Sequence, residues 1–279
     1  MEIRITDRFA ALSHPARFDV LRLLMRRHPD RVPAGEIAEV LGVRANTLSA
    51  HLAELMRVGL IERERVGTSL RYGADLAGLG EVTAALWTDC CRGRPDLCPP
   101  LGLGMTKGDR PMSDTRYRVL FICTGNSARS IFAESILRKV AGDRFEAFSA
   151  GTRPQSELNP LAVKMLEDKG YDTAALRAKN VTEFQGADAP EFDFVFTVCD
   201  RAANEECPTW PGQPLTAHWG TPDPVKAEGT EAERMLAFQQ AYGMLRHRIS
   251  AFAALPLEAL DRIAQQTALD DIARQETPE

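Results

Sequence analysis

Long apolar runs are missing from this chain of 279 residues. No segment approaches the roughly 20 apolar residues that a bilayer-spanning helix requires. The opening Met1-Glu2-Ile3-Arg4 also lacks the apolar core of a secretory signal. The expectation is a cytoplasmic protein with no membrane association. Cysteine is sparse, at six residues. In a reducing compartment so few thiols read as reactive or ligating groups, not as a disulfide framework. Lysine is absent from residues 1–75, where twelve arginines face ten acidic residues. That segment has a surplus of two positive charges, which leaves −7 on the remainder of a chain whose net charge is −5. The imbalance is compatible with a nucleic-acid-facing first part and an acidic second part, though charge alone decides little. No internal repeat is visible.

What is present suffices for two cores. The composition, 44% hydrophobic and 26% charged, is that of a globular protein. Residues 99–115 have no period and are rich in proline and glycine, as in Pro99-Pro100-Leu101-Gly102-Leu103-Gly104. They read as a linker between a domain over 1–98 and a second over 116–253, with a tail at 254–279. Met112-Ser113-Asp114 reads like the former start of a separate protein.

The first domain reads as helices over 7–12, 15–27, 34–41 and 44–58. Pro15 suits a first helical turn, and Phe18, Leu21, Leu24 and Met25 form an apolar stripe. Gly42 ends the third helix. In the fourth, Leu48, Leu52 and Leu55 face inward, and Asn46 and Ser49 point away. Two short helices around a tight turn match the helix-turn-helix plan, whose second helix enters the major groove N-terminus first. Arg44, Asn46, Thr47 and Ser49 are the candidate base-facing residues. Two strands around Gly67-Thr68 form a wing on which Arg63, Arg65 and Arg71 are candidate phosphate contacts. His51 flanks the apolar stripe and reads equally as a packed residue or a DNA contact.

The Leu12-Ser13-His14-Pro15-Ala16-Arg17 opening, the helix over 46–55 followed by Arg57-Val58-Gly59-Leu60-Ile61, and the wing resemble the ArsR/SmtB family of winged-helix repressors. The likeness spans about residues 5–98. It implies operator DNA as partner, a homodimer built through this domain with residues 76–90 as the dimer helix, and release from DNA by a metal or metalloid. The familiar sensor cysteines before the recognition helix are absent from residues 34–41. Cys90, Cys91 and Cys98 resemble the C-terminal trio of some arsenite-sensing members. Three thiolates suit pyramidal arsenic(III), whereas zinc normally takes a fourth ligand. Arsenite is the regulatory ligand so implied.

In the second half, strands over 117–123, 145–149 and 192–199 alternate with helices over 129–140, 160–170 and 231–253. That order implies an α/β domain with a parallel sheet, and ligands in such sheets bind at the strands' carboxyl ends. Cys123 and Cys199 both fall there. After Cys123 comes Thr124-Gly125-Asn126-Ser127-Ala128-Arg129-Ser130. A small polar loop between strand and helix can turn its N–H groups inward, and the helix start adds a positive end. Gly125 allows the curl, Asn126 braces the loop, Arg129 offers a fork of donors, and Ser130 can bond the sulfur. The same field is expected to favour a Cys123 thiolate, the nucleophilic form.

This loop resembles that of the low-molecular-weight protein tyrosine phosphatases and of the arsenate reductases sharing their fold, over about residues 116–253. The phosphatases carry Asp-Pro-Tyr, but here Asp223-Pro224 precedes Val225. The reductases carry two further cysteines, then His-Trp-Gly and Asp-Pro. Cys199, Cys207, His218-Trp219-Gly220 and Asp223-Pro224 match that pattern, although Ala128 stands where some members have cysteine. The resemblance implies reduction of arsenate to arsenite by a relay through Cys123, Cys199 and Cys207, with Asp223 as general acid. It implies no tightly bound cofactor and an external dithiol such as thioredoxin. His218, Trp219 and Trp210 read as packing around the acid loop. The expectation is an arsenate reductase fused to an arsenite-released repressor; the alternative is a phosphatase fused to a metalloregulator.

Overall fold

The computed structural model describes residues 4–86, 90, 116–186, 189–205 and 210–275. The chain divides into two compact units, Met1–Leu103 and Gly104–Glu279.

The first unit comprises α1 (Ile5–Leu12), α2 (Pro15–Arg27), the two-residue β1 (Val32–Pro33), α3 (Ala34–Leu41), α4 (Ala45–Arg57), β2 (Ile61–Val66), β3 (Ser69–Ala74) and α5 (Leu76–Ala85). Gly42 ends α3 in the left-handed region (φ 63°), where its N–H closes the helix on Glu39. Leu48, Leu52 and Leu55 of α4 are buried against α2 and α3. On α2 the buried stripe is Val20, Leu21, Leu23 and Leu24. Phe18 and Met25, expected in that stripe, are exposed instead. The buried face runs through positions 20, 23, 24 and 27, a helical spacing that turns Phe18 and Met25 outward. The sheet order is β1-β3-β2, antiparallel, with β1 unforeseen from sequence.

The second unit comprises β4 (Tyr117–Cys123), α6 (Arg129–Ala141), β5 (Phe145–Gly151), α7 (Pro160–Asp168), β6 (Phe194–Thr197), α8 (Asp200–Asn204), β7 (Leu215–His218), α9 (Glu231–Ala253) and α10 (Arg262–Arg274). All strands are parallel in the order β5-β4-β6-β7. The chain winds one way from β4 to β5, then returns to place β6 on β4's other side. The point where winding reverses lies between the ends of β4 and β6, the position at which such sheets bind ligands. Val119, Leu120, Phe121 and Ile122 are buried, as is fitting for a strand covered on both faces. α6 and α9 pack on each other, Phe132 against Phe238 and Tyr242.

Residues 254–275 are not a loose tail. Leu257, Leu269, Ile272 and Ala273 belong to the second unit's core, and α10 packs along β7. Their apolar spacing is therefore a core-facing stripe. Gln266 Nε2 donates to Thr216 O (2.9 Å) and Arg262 to Gln213 O (2.6 Å), covering the outer edge of the sheet.

Candidate active site

The loop after β4 is turned inside out by its neighbour. The N–H groups of Thr152, Arg153, Gln155 and Asn159 donate to the carbonyls of Cys123, Thr124, Gly125 and Ser127, at 2.9–3.1 Å. With its carbonyls tied outward, the loop keeps its own N–H groups for the interior, the arrangement that binds an anion. The approach is close. A Cβ on Gly151 would stand 2.6 Å from Thr124 O, so only glycine fits there. The left-handed residue of the loop is Asn126 (φ 43°). Gly125, expected to supply the curl, lies outside that region, and a Cβ there would meet only ordinary contacts near 3.4 Å.

Asn126 can hold that conformation because its amide is fully committed. Nδ2 donates to Ser130 Oγ (2.8 Å) and Ser149 Oγ (2.9 Å), and Oδ1 accepts from Lys179 N (2.7 Å). Asn126, Ser130 and Ser149 are all fully buried. Ser149 Oγ donates in turn to Glu134, whose Oε2 is paired with Lys179 Nζ at 2.9 Å. Since Ser130 Oγ accepts from Asn126, its own proton is free for Cys123 Sγ, 3.0 Å away. Asn126 N–H donates to the same sulfur at 3.1 Å. Ser149, Glu134 and Lys179 escaped the sequence reading. The signal was there in Ser149-Ala150-Gly151, a run of small residues ending the strand that neighbours Cys123, with Cys123 in register with Gly151.

Arg129 opens α6 but its donors point across the site. Nη2 pairs with Asp223 Oδ2 (2.9 Å), and Nη1 donates to Thr221 O (2.9 Å). This corrects the expected electrostatics of Cys123. Burial pushes the thiol up, and nearby Cys199 adds to that. The Ser130 hydrogen bonds and the Arg129 charge pull back only part. The guanidinium is shared with Asp223, so the field at the sulfur is weaker than the loop sequence alone implies.

Cys199 follows β6, and Val198 N–H donates to Ile122 O (2.8 Å), tying the ends of the two strands together. Its sulfur accepts from Ala202 N–H at 3.4 Å, capping α8, and lies 3.5 Å from Thr124 Oγ1. The site thus brings together two free thiols, both buried. His218, also buried, spans from Thr197 Oγ1 (2.8 Å) to Asp200 Oδ1 (3.2 Å). Trp219 stacks on Phe196 at 4.1 Å. Trp210 meets Phe192 edge-on at 5.8 Å, so its packing is on that ring. Cys207 lies outside the described residues.

In the first unit, Arg44 immediately precedes α4 without a side-chain capping bond, and Arg44, Asn46, Thr47 and Ser49 are all exposed. Ser49 Oγ donates back to Ala45 O (2.9 Å). The wing arginines do not share a face. Arg63 and Arg65 stand opposite Tyr72 and Leu70, while Arg71 stands opposite Glu64 on the other side. On that side Arg31 pairs with Glu62 and Glu64. The His51 ring lies 4.6 Å from that of His14, tilted by 49°, and burial with the charges of His14 and Arg17 holds it below the ordinary histidine range. Cys90 is exposed; Cys91 and Cys98 lie outside the described residues.

Residues 118–266 match the family described as low molecular weight phosphotyrosine protein phosphatase, and residues 12–64 match a helix-turn-helix domain. The second half is similar to the arsenate reductase of Shouchella clausii, 38% identical over 137 residues, which are 48% of this chain and 94% of the relative. It is similar also to that of Bacillus subtilis, 35% identical over 136 residues, with 48% and 94% covered. Among solved structures, a thioredoxin-dependent arsenate reductase from Corynebacterium glutamicum aligns at 22% identity and a TM-score of 0.37, covering 76% of this chain and 90% of that one.

Proposed function

We propose that this chain, which belongs to the low molecular weight phosphotyrosine protein phosphatase family, is an arsenate reductase joined to a helix-turn-helix transcription regulator. One observation carries the choice of reductase over phosphatase. A second buried thiol, Cys199, stands beside the anion loop, 3.5 Å from Thr124 Oγ1. Phosphoryl transfer needs one sulfur; reduction by a thiol relay needs a partner for it. Val225, where the phosphatases have tyrosine, agrees.

In this reading arsenate enters the ring formed by residues 124–130, bound by inward N–H groups and by Arg129. Cys123 attacks arsenic(V) as its proton passes to an oxygen of the bound arsenate. An As–S bond forms and an As–O bond breaks, with Asp223 protonating the departing oxygen so that it leaves as water. Cys199 then attacks Cys123 Sγ. The S–S bond forms, the As–S pair goes to arsenic, and arsenite departs as arsenic(III). Cys207 attacks Cys199, freeing Cys123 and leaving a Cys199–Cys207 disulfide. An external dithiol such as thioredoxin reduces it. Because burial raises Cys123, its proton leaves only as the bond to arsenic forms, and Ser130 O–H and Asn126 N–H steady the negative charge developing on the sulfur. The two sulfurs must come within disulfide reach, so the 200–206 segment, which begins with the five-residue α8, is expected to flex or partly unwind. No tightly bound cofactor is needed. The test is Cys199→Ser with thioredoxin recycling. Multiple turnover should vanish while arsenate binding persists, and steady-state reduction at the unmutated rate would refute the relay.

The first unit is read as an operator-binding repressor released by arsenite at Cys90, Cys91 and Cys98, in a cytoplasmic homodimer. Phe9 on α1 and Leu76 on α5, two helices that pack together, are exposed apolar side chains that a homodimer through these helices would cover. The test is operator affinity against arsenite. Cys91→Ser should blunt the response; an unaltered response moves the sensor elsewhere.

A further inference from the structure

The loop that carries Asp223 is gripped from two sides. From the active-site side, Arg129 holds Thr221 O and the Asp223 carboxylate, each at 2.9 Å. From the other side, Arg248 of α9, itself buried, donates Nη1 to Gly220 O (2.8 Å) and Nη2 to Ala273 O (3.4 Å). One residue earlier in the loop, Trp219 Nε1 donates to Leu269 O at 3.3 Å. Leu269 and Ala273 lie on α10, beyond the family match that ends at residue 266. Ala273 is in the last turn of α10, where carbonyls lack helical partners and the helix end is negative, so a guanidinium is favoured there.

The two grips are not equivalent. Arg129 is also the anion's ligand, so a guanidinium drawn toward a bound oxyanion must readjust its bonds to Thr221 and Asp223. The bonds from Arg248 to Gly220 and Ala273 and from Trp219 to Leu269 use no donor of Arg129, so they hold when Arg129 is engaged. We infer that Arg248, working with the last helix, is a positioning residue for the acid loop: it keeps Asp223 in place as Arg129 turns to substrate. The inference rests on the reading of Asp223 as the acid. It assigns a role in turnover to α10, which relatives covering 48% of this chain need not share.

The experiment is a double-mutant cycle in the full-length chain, with arsenate turnover coupled to thioredoxin. Asp223→Asn should cut kcat by about 100-fold. Arg248→Gln should cut it by roughly 10-fold with KM within about twofold, the mark of a misplaced group and not of lost binding. In the Asp223→Asn background, Arg248→Gln should add almost nothing, because the group it positions is gone. Equal losses in both backgrounds would mean a general structural effect and overturn the inference, as would unchanged kcat in Arg248→Gln when Asp223→Asn is impaired. If Asp223→Asn retains full kcat, the acid reading falls and the brace with it. Should Arg248→Gln fail to fold, Trp219→Phe removes the bond to Leu269 but keeps a ring on Phe196, and the same non-additivity decides. Gln266→Ala, which loosens α10 only at the sheet edge, should leave kcat unchanged. A loss matching that of Arg248→Gln would deny the specific contact.

Discussion

The two units place their candidate chemistry at opposite extremes of burial. In the second, Cys123, Asn126, Ser130, Ser149 and Glu134 are almost wholly enclosed, and each polar atom of the Asn126 side chain is committed to a neighbour. In the first, Arg44, Asn46, Thr47 and Ser49 stand open on a helix whose other face is the core. A thiol that must attack one atom needs a fixed, dry position, so its neighbours are constrained in kind and spacing. A groove-reading helix needs only a rigid back, and its front can vary. The sharpest way to break this contrast is Cys123→Ser. Arsenate reduction should fall to background, at least about 10⁴-fold, while operator affinity in a mobility-shift assay stays within twofold. A matching loss of DNA binding would show that the units do not act separately.

The enclosed network makes a second claim. Lys179 and Glu134 side chains are only 10% and 5% exposed, and their 2.9 Å pair anchors the hydrogen-bond chain that ends at the sulfur. Lys179→Met leaves a buried carboxylate without its ammonium, a change that typically costs about 3–5 kcal/mol. Calorimetry should show the second unit melting well below its normal temperature and the first unit's transition unmoved. A loss below about 1 kcal/mol would mean that water or Arg138, which also bonds Glu134, takes over the charge.

This difference in constraint explains what could be read in the residues themselves. β4 and α9 begin and end where their apolar runs and caps place them, and Cys123, Arg129, Cys199 and Asp223 meet at one site because strand ends and a tight loop leave few alternatives. Legibility failed where the determining contact is distant in sequence. Lys179 reaches Asn126 across 53 positions, and Trp219 reaches Leu269 across 50. The apolar spacing of the terminal segment marks a helix face, but not that Leu269 and Ile272 close the core of the second unit. The hairpin of the wing was legible, but its faces were not: residue spacing gives alternation, and only pairing register shows that Arg71 stands opposite Glu64 and not beside Arg63.

Burial has a pH signature that the open surface lacks. Cys123 is raised above its ordinary value near 9 by enclosure. Above that pH the unfolded chain releases the proton that the folded chain retains. The unfolded state then binds fewer protons, and stability falls as pH rises, by up to about 1.4 kcal/mol per pH unit until the folded thiol also ionises. Below the ordinary value the group contributes no slope. Comparing Cys123→Ser with the parent by chemical denaturation at pH 8 and pH 10 isolates this contribution. The parent should lose more stability than the variant on the alkaline side; equal losses would place the sulfur's ionisation within the normal range. Iodoacetamide labelling of Cys123 should likewise be slow at neutral pH and quicken in alkali, and that of exposed Cys90 should be faster at every pH.

The smallest effects belong to the wing, and they test the open half of the comparison. Arg63 and Arg65 share one face of the hairpin, and on the other Arg71 lies across from Glu64 in a patch where Arg31 already balances Glu62 and Glu64. If the hairpin meets phosphates, the face free of carboxylates should do so, because a neighbouring acid repels the backbone that the arginine would attract. Arg63→Ala and Arg65→Ala should each lower the slope of log affinity against log salt by about 1, with little dependence on operator sequence. Arg71→Ala should change that slope by less than half as much. Salt titrations of the three variants on one operator fragment make the comparison directly. A slope change for Arg71 equal to the others would mean that the wing lies flat along the duplex and both faces count, whereas no change in any of the three would confine DNA contact to α4.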